Sequence, residues 1–330
     1  MEQKPYKVSI LVPIYGVESY IERCVRSLFE QTYGNIEFVF VNDCTKDNSI
    51  KILLKTLEDY PSRRSEFKLI EHKKNRGIAA TRNTALAECK GDFFMFVDSD
   101  DWIEHDTVER LVKAQLKHDS DVITCNYTIY ETKGCVQYKE QLLPTTKEML
   151  KQLLDGKGSG RLWGRLVRTS LIKENNIHFV EGANFAEDIM VMSFLWFYAK
   201  NHSSINDSLY NYERRNITSY TNSFSTMNSM ESLRNLDEAR EFFKVHAPEY
   251  LDSIELQELG KVSGHMCSCS KNRKNKQYYN SELLKRLDTI DKKYWNRIPL
   301  KNRVALYLRN FELVRIYMII GGIIYRILKK

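Results

Sequence analysis

The first 130 residues alternate between short apolar runs and longer segments in which apolar side chains recur every three or four positions. The short runs predict β-strands, and the longer segments predict amphipathic helices. The predicted strands are Val8–Val12, Ile36–Val41, Phe67–Glu71, Asp92–Asp98 and Asp121–Tyr130, and the predicted helices are Glu18–Phe29, Ser49–Asp59, Ile78–Cys89 and one after His105. Because strands and helices that alternate at this spacing form right-handed βαβ units, we predict an α/β domain with a central, mainly parallel sheet.

The pattern becomes less regular after Thr132. The elements predicted there are a helix at Lys147–Leu154, a short strand at Leu162–Val167, an apolar helix at Glu187–Tyr198 and an edge strand at Ser208–Tyr212. From about Ser225 onward only helical patterns remain, separated by polar and basic loops. We therefore predict two domains, an α/β domain over residues 1–222 and a helical C-terminal region over residues 223–330.

The composition is that of an ordinary soluble globular protein, with 42% hydrophobic and 28% charged residues among 330. The seven cysteines are scattered and lack a Cys-x-x-Cys spacing, so they predict neither a disulfide framework nor a zinc site. The first apolar run ends at Tyr15-Gly16 and is expected to be a strand rather than a secretory signal. These features favour a reducing, cytoplasmic location.

Positive charge is concentrated in the last part of the sequence. Residues 271–330 contain sixteen Lys and Arg against four Asp and Glu, a balance of +12, whereas the whole chain carries +7. Residues 304–330 follow an amphipathic helical pattern whose longest uncharged run, Ile316–Tyr325, is ten residues, and a transmembrane helix needs about 20. Two interpretations stay open: a basic helix in peripheral contact with an anionic membrane on its inner face, or a helix docked on the protein's own core or on a second subunit.

The stretch with the clearest chemical content is the apolar run Phe93–Val97, which leads directly into Asp98-Ser99-Asp100-Asp101. An apolar run bounded by glycine and acids is typical of a central strand in a parallel sheet, and ligands bind at the carboxyl ends of such strands. Because neighbouring carboxylates repel one another unless a cation compensates them, the acids predict a Mn²⁺ or Mg²⁺ site that bridges to a substrate phosphate. The alternative is a solvated acidic turn that caps the following helix.

Several common nucleotide and hydrolase motifs are absent. The turn after the first strand reads Pro13-Ile14-Tyr15-Gly16-Val17, which lacks the glycines of a dinucleotide-binding fold, and no P-loop Gly-Lys-Ser/Thr occurs. Neither His-Glu-x-x-His nor Gly-x-Ser-x-Gly is present. The sequence therefore argues against the usual dehydrogenases, ATPases, metalloproteases and α/β-hydrolases.

Functional residue types instead follow successive predicted strands. Five segments carry this pattern: Val8–Tyr15, Val41–Ser49, Asn75–Asn83, Val97–Trp102 and Ala186–Ile189, with a weaker sixth at Tyr212–Ser219. In this order they resemble family 2 glycosyltransferases of the GT-A (nucleotide-diphospho-sugar transferase) fold, of the kind that builds bacterial cell-envelope and capsule glycans. The resemblance covers residues 8 to about 220 and implies a GT-A domain followed by a C-terminal helical region.

The resemblance implies a donor site at the ends of the first two strands. Asp43 would accept a ring N–H of the nucleobase, which favours uridine, and Pro13 and Tyr15 would flank the base. The alternative for Asp43 is a helix-capping role, which Asp47 fills better. Cys44 stands where the family has glycine, and its side chain opposes the φ > 0 turn that glycine allows.

Further donor residues are implied after the third and fourth strands. Asn75 and Arg82 would lie near the nucleotide, where a guanidinium can pair with phosphate oxygens. The alternative for Arg82 is a structural ion pair with the Asp cluster. The other implied positions are Asp98 and Ser99 at the ribose and metal edge, Asp100 as the main metal ligand, and Arg215 and Ser219 at the diphosphate.

The resemblance also implies the chemistry. Asp188, supported by Glu187, would be the general base that deprotonates the acceptor hydroxyl, so that direct displacement inverts the anomeric centre. The expected enzyme is a metal-dependent glycosyltransferase that moves a sugar from a UDP-sugar to a glycan or lipid-linked glycan, with no nucleic acid as partner. The alternatives are a non-catalytic sugar-nucleotide or glycan-binding module, against which the retained acids argue, and a nucleotidyltransferase, whose usual basic loop after the first strand is missing.

Overall fold

The structure is a computed structural model that describes residues 6–216 and 225–328, with side-chain surroundings through residue 323. The chain divides into two compact units, residues 1–150 with 159–219 and residues 151–158 with 220–330. The sequence places residues 151–158 in the first domain, whereas the structure groups them with the second unit. There the Leu153 carbonyl oxygen accepts a hydrogen bond from Gln257 Nε2 at 3.3 Å.

The first unit is an α/β structure. Its strands are β1 (Val8–Ile14), β2 (Ile36–Asn42), β3 (Phe67–Glu71), β4 (Phe93–Phe96), β5 (Trp102–Ile103), β6 (Val122–Glu131), β7 (Gly134–Tyr138), β8 (Arg165–Arg168) and β9 (His202–Glu213). Its helices are α1 (Ile21–Phe29), α2 (Ser49–Glu58), α3 (Ile78–Glu88), α4 (Thr107–His118), α6 (Thr169–Glu174) and α7 (Glu187–Tyr198), and α5 (Thr146–Leu154) runs from the first unit into residues of the second.

One half of the sheet is parallel, as predicted. β1 lies between β2 and β4 and is parallel to both, and β3 extends the sheet beyond β2. All seven residues of β1 and all four of β4 are buried, which explains why these strands are continuous apolar runs rather than alternating ones. The carboxyl ends of β1, β2 and β4 therefore lie side by side at one edge.

The other half of the sheet is mixed. β8 is antiparallel to both β4 and β6, and β6 is in turn parallel to β9. The prediction of an edge strand at Ser208–Tyr212 is wrong, because β9 is twelve residues long and pairs with β6 on one side and with β5 on the other. The sequence pattern did not predict the first half of β9. Most residues in His202–Asp207 are polar and at least partly exposed, so they form no apolar run.

The apolar residues of β1, β2 and β4 pack with α1 and α2 into one core. Phe29, Phe38 and Phe40 lie within it in edge-to-face contact, with ring centroids 5.1 Å apart for Phe29–Phe38 and 6.2 Å for Phe29–Phe40. Truncating a buried phenylalanine to alanine typically costs about 3–5 kcal/mol. This core fixes the strand ends on which the site residues lie.

The second unit is helical in its described part. It contains α8 (Thr226–His246), α9 (Leu251–Cys269), α10 (Lys276–Tyr278), α11 (Leu284–Thr289), α12 (Leu300–Leu308) and α13 (Phe311–Leu328). Its own core includes Leu259, Tyr279, Trp295 and Phe311. Among the helices that the structure describes, none is both long enough and apolar enough to cross a bilayer.

Candidate active site

The parallel half of the sheet brings the predicted donor residues to its carboxyl edge. Pro13 lies in buried β1, and Tyr15 follows it with 53% of its surface exposed. Asp43 follows β2, and Asp98 to Asp101 follow β4. The rule that ligand-binding residues collect at the ends of parallel strands thus applies to this chain.

Asp43 is buried and receives three hydrogen bonds from its own chain. Its Oδ1 accepts from the Arg76 backbone N–H at 2.8 Å and lies 2.7 Å from Nδ1 of His72. Its Oδ2 accepts from the Gly77 N–H at 2.8 Å. Asp43 does not cap α2, because Asp47 accepts from the Ser49 N–H there. The carboxylate therefore braces the loop before α3, and the sequence analysis missed His72 as its partner because His72 carries no motif.

The turn beside Asp43 keeps the backbone shape that a glycine would allow. Cys44 has φ 59°, in the left-handed region that side chains disfavour. Thr45 N donates to Asn42 Oδ1 at 2.9 Å, which closes the turn around it. Cys44 thus holds a backbone conformation that glycine would adopt without strain.

The loop before α3 also depends on a glycine. Gly77 has φ 85°, and a Cβ at this position would lie 2.3 Å from Asn184 Oδ1. That amide oxygen accepts from the Ala79 N–H at 3.2 Å, so it holds the first turn of α3. Asn75, predicted to lie near the nucleotide, points its Nδ2 at the Asp43 carbonyl oxygen at 3.4 Å.

Arg82 lies between two acids that are far apart in sequence. Its guanidinium is 6% exposed and forms ion pairs with Asp98, at 3.2 Å, and with Glu187. Burial alone would lower the pKa of Arg82, but Glu187 and Asp98 hold that pKa above its ordinary value. The structure thus contains the ion pair that was the alternative interpretation of Arg82, and both terminal nitrogens of the guanidinium face acids.

Glu187 and Asp188 begin α7 after a strained residue. Ala186 has φ 60°, and such backbone strain is concentrated at functional sites in proteins. Glu187 is buried, and burial together with nearby Asp188 keeps its pKa above the ordinary value in spite of Arg82. Asp188 is only partly buried, and its Oδ1 accepts from the Ile189 N–H at 2.8 Å.

The acids after β4 differ in the hydrogen bonds that their carboxylates accept from the rest of the chain. Asp101 is fully buried, where Tyr210 Oη donates to it at 2.6 Å and the Glu213 N–H at 2.7 Å. Asp100 accepts from Asn216 Nδ2 at 3.0 Å, and burial and the charge of Asp98 raise its pKa to about 6. Ser99 between them is buried. Burial and the charges of Asp100 and Asp98 also raise the pKa of Asp101 well above its ordinary value, so Asp100 differs from Asp101 in accepting one such hydrogen bond rather than two.

A network missed by the sequence analysis supports this acidic loop from β9. The Tyr210 hydroxyl accepts from the Asp98 N–H at 3.2 Å, and Glu213 pairs with Arg23, whose guanidinium also donates to the Asp100 carbonyl oxygen at 3.1 Å. Arg215, predicted to contact a diphosphate, is engaged with Glu213 at 2.7 Å through Nε. Ser219 lies outside the described residues. The only sequence signal for this network was the weak segment Tyr212–Ser219.

The donor set at Asp98 and Asp100 can be compared with what a metal ion needs. Within the described residues, no group of three or more His, Cys, Asp or Glu side chains is arranged to hold a metal. The pair supplies oxygen atoms only, and burial together with the charge of Asp98 raises the pKa of Asp100. Such a pair fits Mg²⁺ or Mn²⁺, which commonly take one or two carboxylates and fill the remaining positions with phosphate oxygens and water.

The strand β8 closes the side of the site opposite β1. Trp163, just before β8, stacks on Tyr210 with centroids 4.5 Å apart and on Tyr212 at 5.2 Å. Arg165 is fully buried and pairs with Glu140 at 2.7 Å, so it is not available to a ligand in this arrangement. Trp163 is only partly buried, and the Arg161 guanidinium also lies over its ring, 4.7 Å from the centroid.

An α/β sheet with acids at its carboxyl edge is the arrangement expected of the GT-A fold. The sequence profile described as Glycosyl transferase family 2 matches residues 9–174, half of the chain. The protein therefore belongs to glycosyl transferase family 2, which confirms the predicted family and fold. The matched residues include Asp43, Arg82 and Asp100 and end before Glu187 and Asp188.

Relatives and solved structures agree with this assignment. The chain is 34% identical over 215 residues to the putative glycosyltransferase EpsH of Bacillus subtilis. The aligned residues cover 62% of this chain and 60% of EpsH. The cholesterol galactosyltransferase of Borreliella burgdorferi is 26% identical over 97% of both chains. The crystal structure of Staphylococcus aureus TarS 1–349 in complex with UDP-GlcNAc superposes with a TM-score of 0.72 at 21% identity and covers 94% of this chain and 89% of that one.

Proposed function

We propose that the protein is an inverting, metal-dependent glycosyltransferase that moves a sugar from a UDP-sugar to a hydroxyl group of a glycan or lipid-linked glycan in envelope polysaccharide synthesis. The observation that carries the proposal is the chain of contacts from Asp98 through Arg82 to Glu187, next to Asp188. These contacts join the end of β4, where a donor would lie, to the start of α7, where a base would act.

The donor side of the proposal rests on Asp43 and the residues around it. An ionised carboxylate has about four acceptor positions, and the chain's own donors use three of those on Asp43. One position is left for a nucleobase N–H, with Pro13 and Tyr15 beside the base and Asn75 next to it. The structural relative TarS is described with UDP-GlcNAc, which supports a UDP-sugar as the donor class.

The leaving group is proposed to be held at the acidic loop. Asp100 and Asp98 would hold Mn²⁺ or Mg²⁺, with Ser99 at the ribose edge and Arg215 and Ser219 toward the diphosphate. When bound, the metal would offset the charge that builds on the departing diphosphate. Arg82 keeps Asp98 oriented, and Tyr210 and Arg23 hold the backbone of the same loop.

Asp188 is proposed as the general base. Its side chain is partly exposed, whereas that of Glu187 is buried in its ion pair with Arg82, so Asp188 is the more accessible of the two acids to an incoming hydroxyl. A carboxylate that takes the proton as the oxygen attacks from the face opposite the leaving group gives inversion. Glu187 supports this step by anchoring the first turn of α7.

The acceptor is proposed to be a glycan or lipid-linked glycan, and the protein is proposed to work at the inner face of the cytoplasmic membrane. The relative matched over nearly the whole chain is named a cholesterol galactosyltransferase, so the acceptor of that protein is a membrane lipid. The partly buried Trp163, stacked on Tyr210 and Tyr212, is proposed to lie on the acceptor side of the site.

The test is transfer or hydrolysis of UDP-sugars in the presence of Mn²⁺, comparing the wild type with Asp188→Asn. The amide keeps the shape but accepts no proton, so we expect turnover to fall by roughly 10²-fold or more. Donor binding measured by calorimetry should hardly change. Asp207→Asn is the control, because Asp207 is a half-exposed acid paired with Arg110.

A variant Asp188→Asn that loses donor binding and keeps its turnover would contradict the assignment of the base. A wild-type protein that binds UDP-sugars but turns none of them over would favour the non-catalytic binding module instead.

A further inference from the structure

The second unit presents a concentrated apolar surface on α12 and α13. Of the fifteen large apolar side chains that are well exposed in the described part of the chain, seven lie within residues 300–323. They are Leu300, Tyr307, Leu313, Ile316, Ile319, Ile320 and Ile323, and we call them the apolar hairpin surface. Ordinary surfaces carry such side chains singly, so a cluster of this kind marks an interaction site.

The helix α13 is anchored at its start and exposed further along. Phe311 and Val314 are buried, and the Phe311 ring packs edge-on against Tyr279 with centroids 5.4 Å apart. All five residues from Ile319 to Ile323 are exposed. The start of α13 is therefore docked on the core of the second unit, as one of the interpretations left open by the sequence predicted, whereas residues 319–323 remain exposed.

A second copy of the chain is the other occupant to consider. Leu313, Ile316, Ile320 and Ile323 follow the 3-4-3 spacing of a coiled-coil seam. A two-stranded seam buries one stripe, however, and leaves the other faces in water, where polar residues are needed. The ten residues from Ile316 to Tyr325 include no charged or amide side chain on any face. A helix that is apolar all round fits lipid better than a seam.

The two glycines in this run also favour a lipid environment. Gly321 and Gly322 have no neighbouring atom within 4 Å of a built Cβ, so no close packing requires them. Glycine is a poor helix former in water, whereas hydrocarbon forces the backbone to satisfy its own hydrogen bonds and glycine is common in membrane helices. The helix at this point is thus better suited to lipid than to water.

The net positive charge near the apolar hairpin surface indicates which lipid head groups it would contact. Residues 300–330 contain seven Lys and Arg and a single acid, Glu312. That acid lies 3.3 Å from Lys276 Nζ and 3.8 Å from a guanidinium nitrogen of Arg273, so its charge is compensated. The surface that remains is cationic, and anionic head groups attract such segments.

We infer that the apolar hairpin surface docks the protein on an anionic bilayer and places the end of α13 within one leaflet. The uncharged run of ten residues is about 15 Å long as a helix, half of a hydrocarbon core of about 30 Å. Arg315 borders the run at its start and can extend to the head groups. A link to catalysis, through an acceptor in the same membrane, rests on the proposed function, but the docking itself does not.

The test is co-sedimentation of the full chain with vesicles of phosphatidylglycerol and phosphatidylcholine, and with vesicles of phosphatidylcholine alone. We expect binding to the anionic vesicles, weakened by high salt, and little binding to the neutral ones. The triple variant Ile316→Ser, Ile320→Ser, Ile323→Ser should lower the partition coefficient at least about tenfold, because three exposed apolar side chains no longer enter lipid. The control triple is Leu54→Ser, Leu116→Ser, Val245→Ser, whose apolar side chains are similarly exposed elsewhere and which should bind like the wild type.

Equal sedimentation of the two triple variants would overturn the inference. A wild-type dimer in sedimentation velocity that the Ile triple variant abolishes would also overturn it, in favour of an interface between subunits. Transfer to a soluble acceptor glycoside, measured on the same preparations, separates this inference from the proposed function. The Ile triple variant should keep that transfer, and a complete lack of transfer in all preparations would refute the proposed function while leaving the vesicle result valid.

Discussion

Two acids lie at the carboxyl edge of the parallel sheet, Asp43 after β2 and Asp100 after β4. They differ in how many hydrogen bonds their carboxylates accept from the rest of the chain. Asp43 receives two backbone N–H groups and contacts His72. Asp100 receives one side-chain amide, and burial together with the charge of Asp98 raises its pKa to about 6. Both residues were predicted as site residues from the same rule about strand ends.

The difference teaches how to separate a structural acid from one that awaits a ligand. A buried carboxylate whose acceptor positions are filled by the protein stabilises the fold, and removing it leaves buried donors without partners. A carboxylate kept near other acids without a cation destabilises the protein until a cation arrives. Substitution of Asp43 should therefore lower mainly the stability of the protein, whereas substitution of Asp100 should lower mainly its activity.

The largest effect is expected at Asp100. Asp100→Asn keeps the side-chain shape but removes the charge, so transfer from a UDP-sugar should fall by about 10²–10³-fold, comparable to losing one preorganised electrostatic contact. The melting temperature should stay the same or rise slightly, because the repulsion with Asp98 is relieved. Turnover assays with Mn²⁺ and calorimetric melting would measure the two quantities.

A parallel assay with EDTA serves as the control for Asp100, since removal of the metal from the wild type should reproduce the loss. Turnover that is insensitive both to EDTA and to Asp100→Asn would show that Asp100 holds no metal.

The next effect is expected at Asp43, with the opposite balance. Asp43→Asn replaces one carboxylate oxygen by an NH₂ group, which must face either the Gly77 N–H or the donors at Oδ1. Leaving a buried donor unsatisfied costs about 1–3 kcal/mol, so the free energy of unfolding of the first unit should fall by roughly that amount. Chemical denaturation of the full chain, followed by a probe in the first unit, would measure it.

Asp59→Asn is the matched control, because Asp59 is an exposed acid whose pair with Arg26 lies at the surface. Exposed pairs contribute about 0–1 kcal/mol. If Asp43→Asn and Asp59→Asn changed stability equally, the bracing role of Asp43 would be wrong and the comparison with Asp100 would lose its basis.

The sequence was sufficient to predict the parallel half of the sheet and the position of its acids. β1 and β4 are fully buried, so their apolar runs are unmistakable, and strand ends follow directly from strands. The sequence was not sufficient for partners chosen by tertiary packing. Tyr210 meets Asp101 across 109 positions and Arg23 meets Glu213 across 190, and no local pattern encodes such a pairing.

Local backbone geometry was also only partly predictable. The substitution of Cys44 for the family's glycine suggested a change in the turn, yet Cys44 adopts φ 59°. The reason is that the neighbours hold the turn: Thr45 N donates to Asn42 Oδ1, and Asp43 is held by the loop before α3. Tertiary hydrogen bonds imposed a conformation that the residue itself disfavours.

The smallest effect is expected from relieving that strain. A non-glycine residue in the left-handed region costs about 1–2 kcal/mol, whereas a new glycine gives back about 0.4–1 kcal/mol through the entropy of the unfolded chain. Cys44→Gly should therefore raise the free energy of unfolding by about 0.5–1 kcal/mol, measured by denaturation under reducing conditions. Cys44→Ala is the control, because it removes the thiol and keeps the strained φ, so it should give no gain. A gain from alanine equal to that from glycine would mean that the thiol, and not the backbone, is the source of the strain beside Asp43.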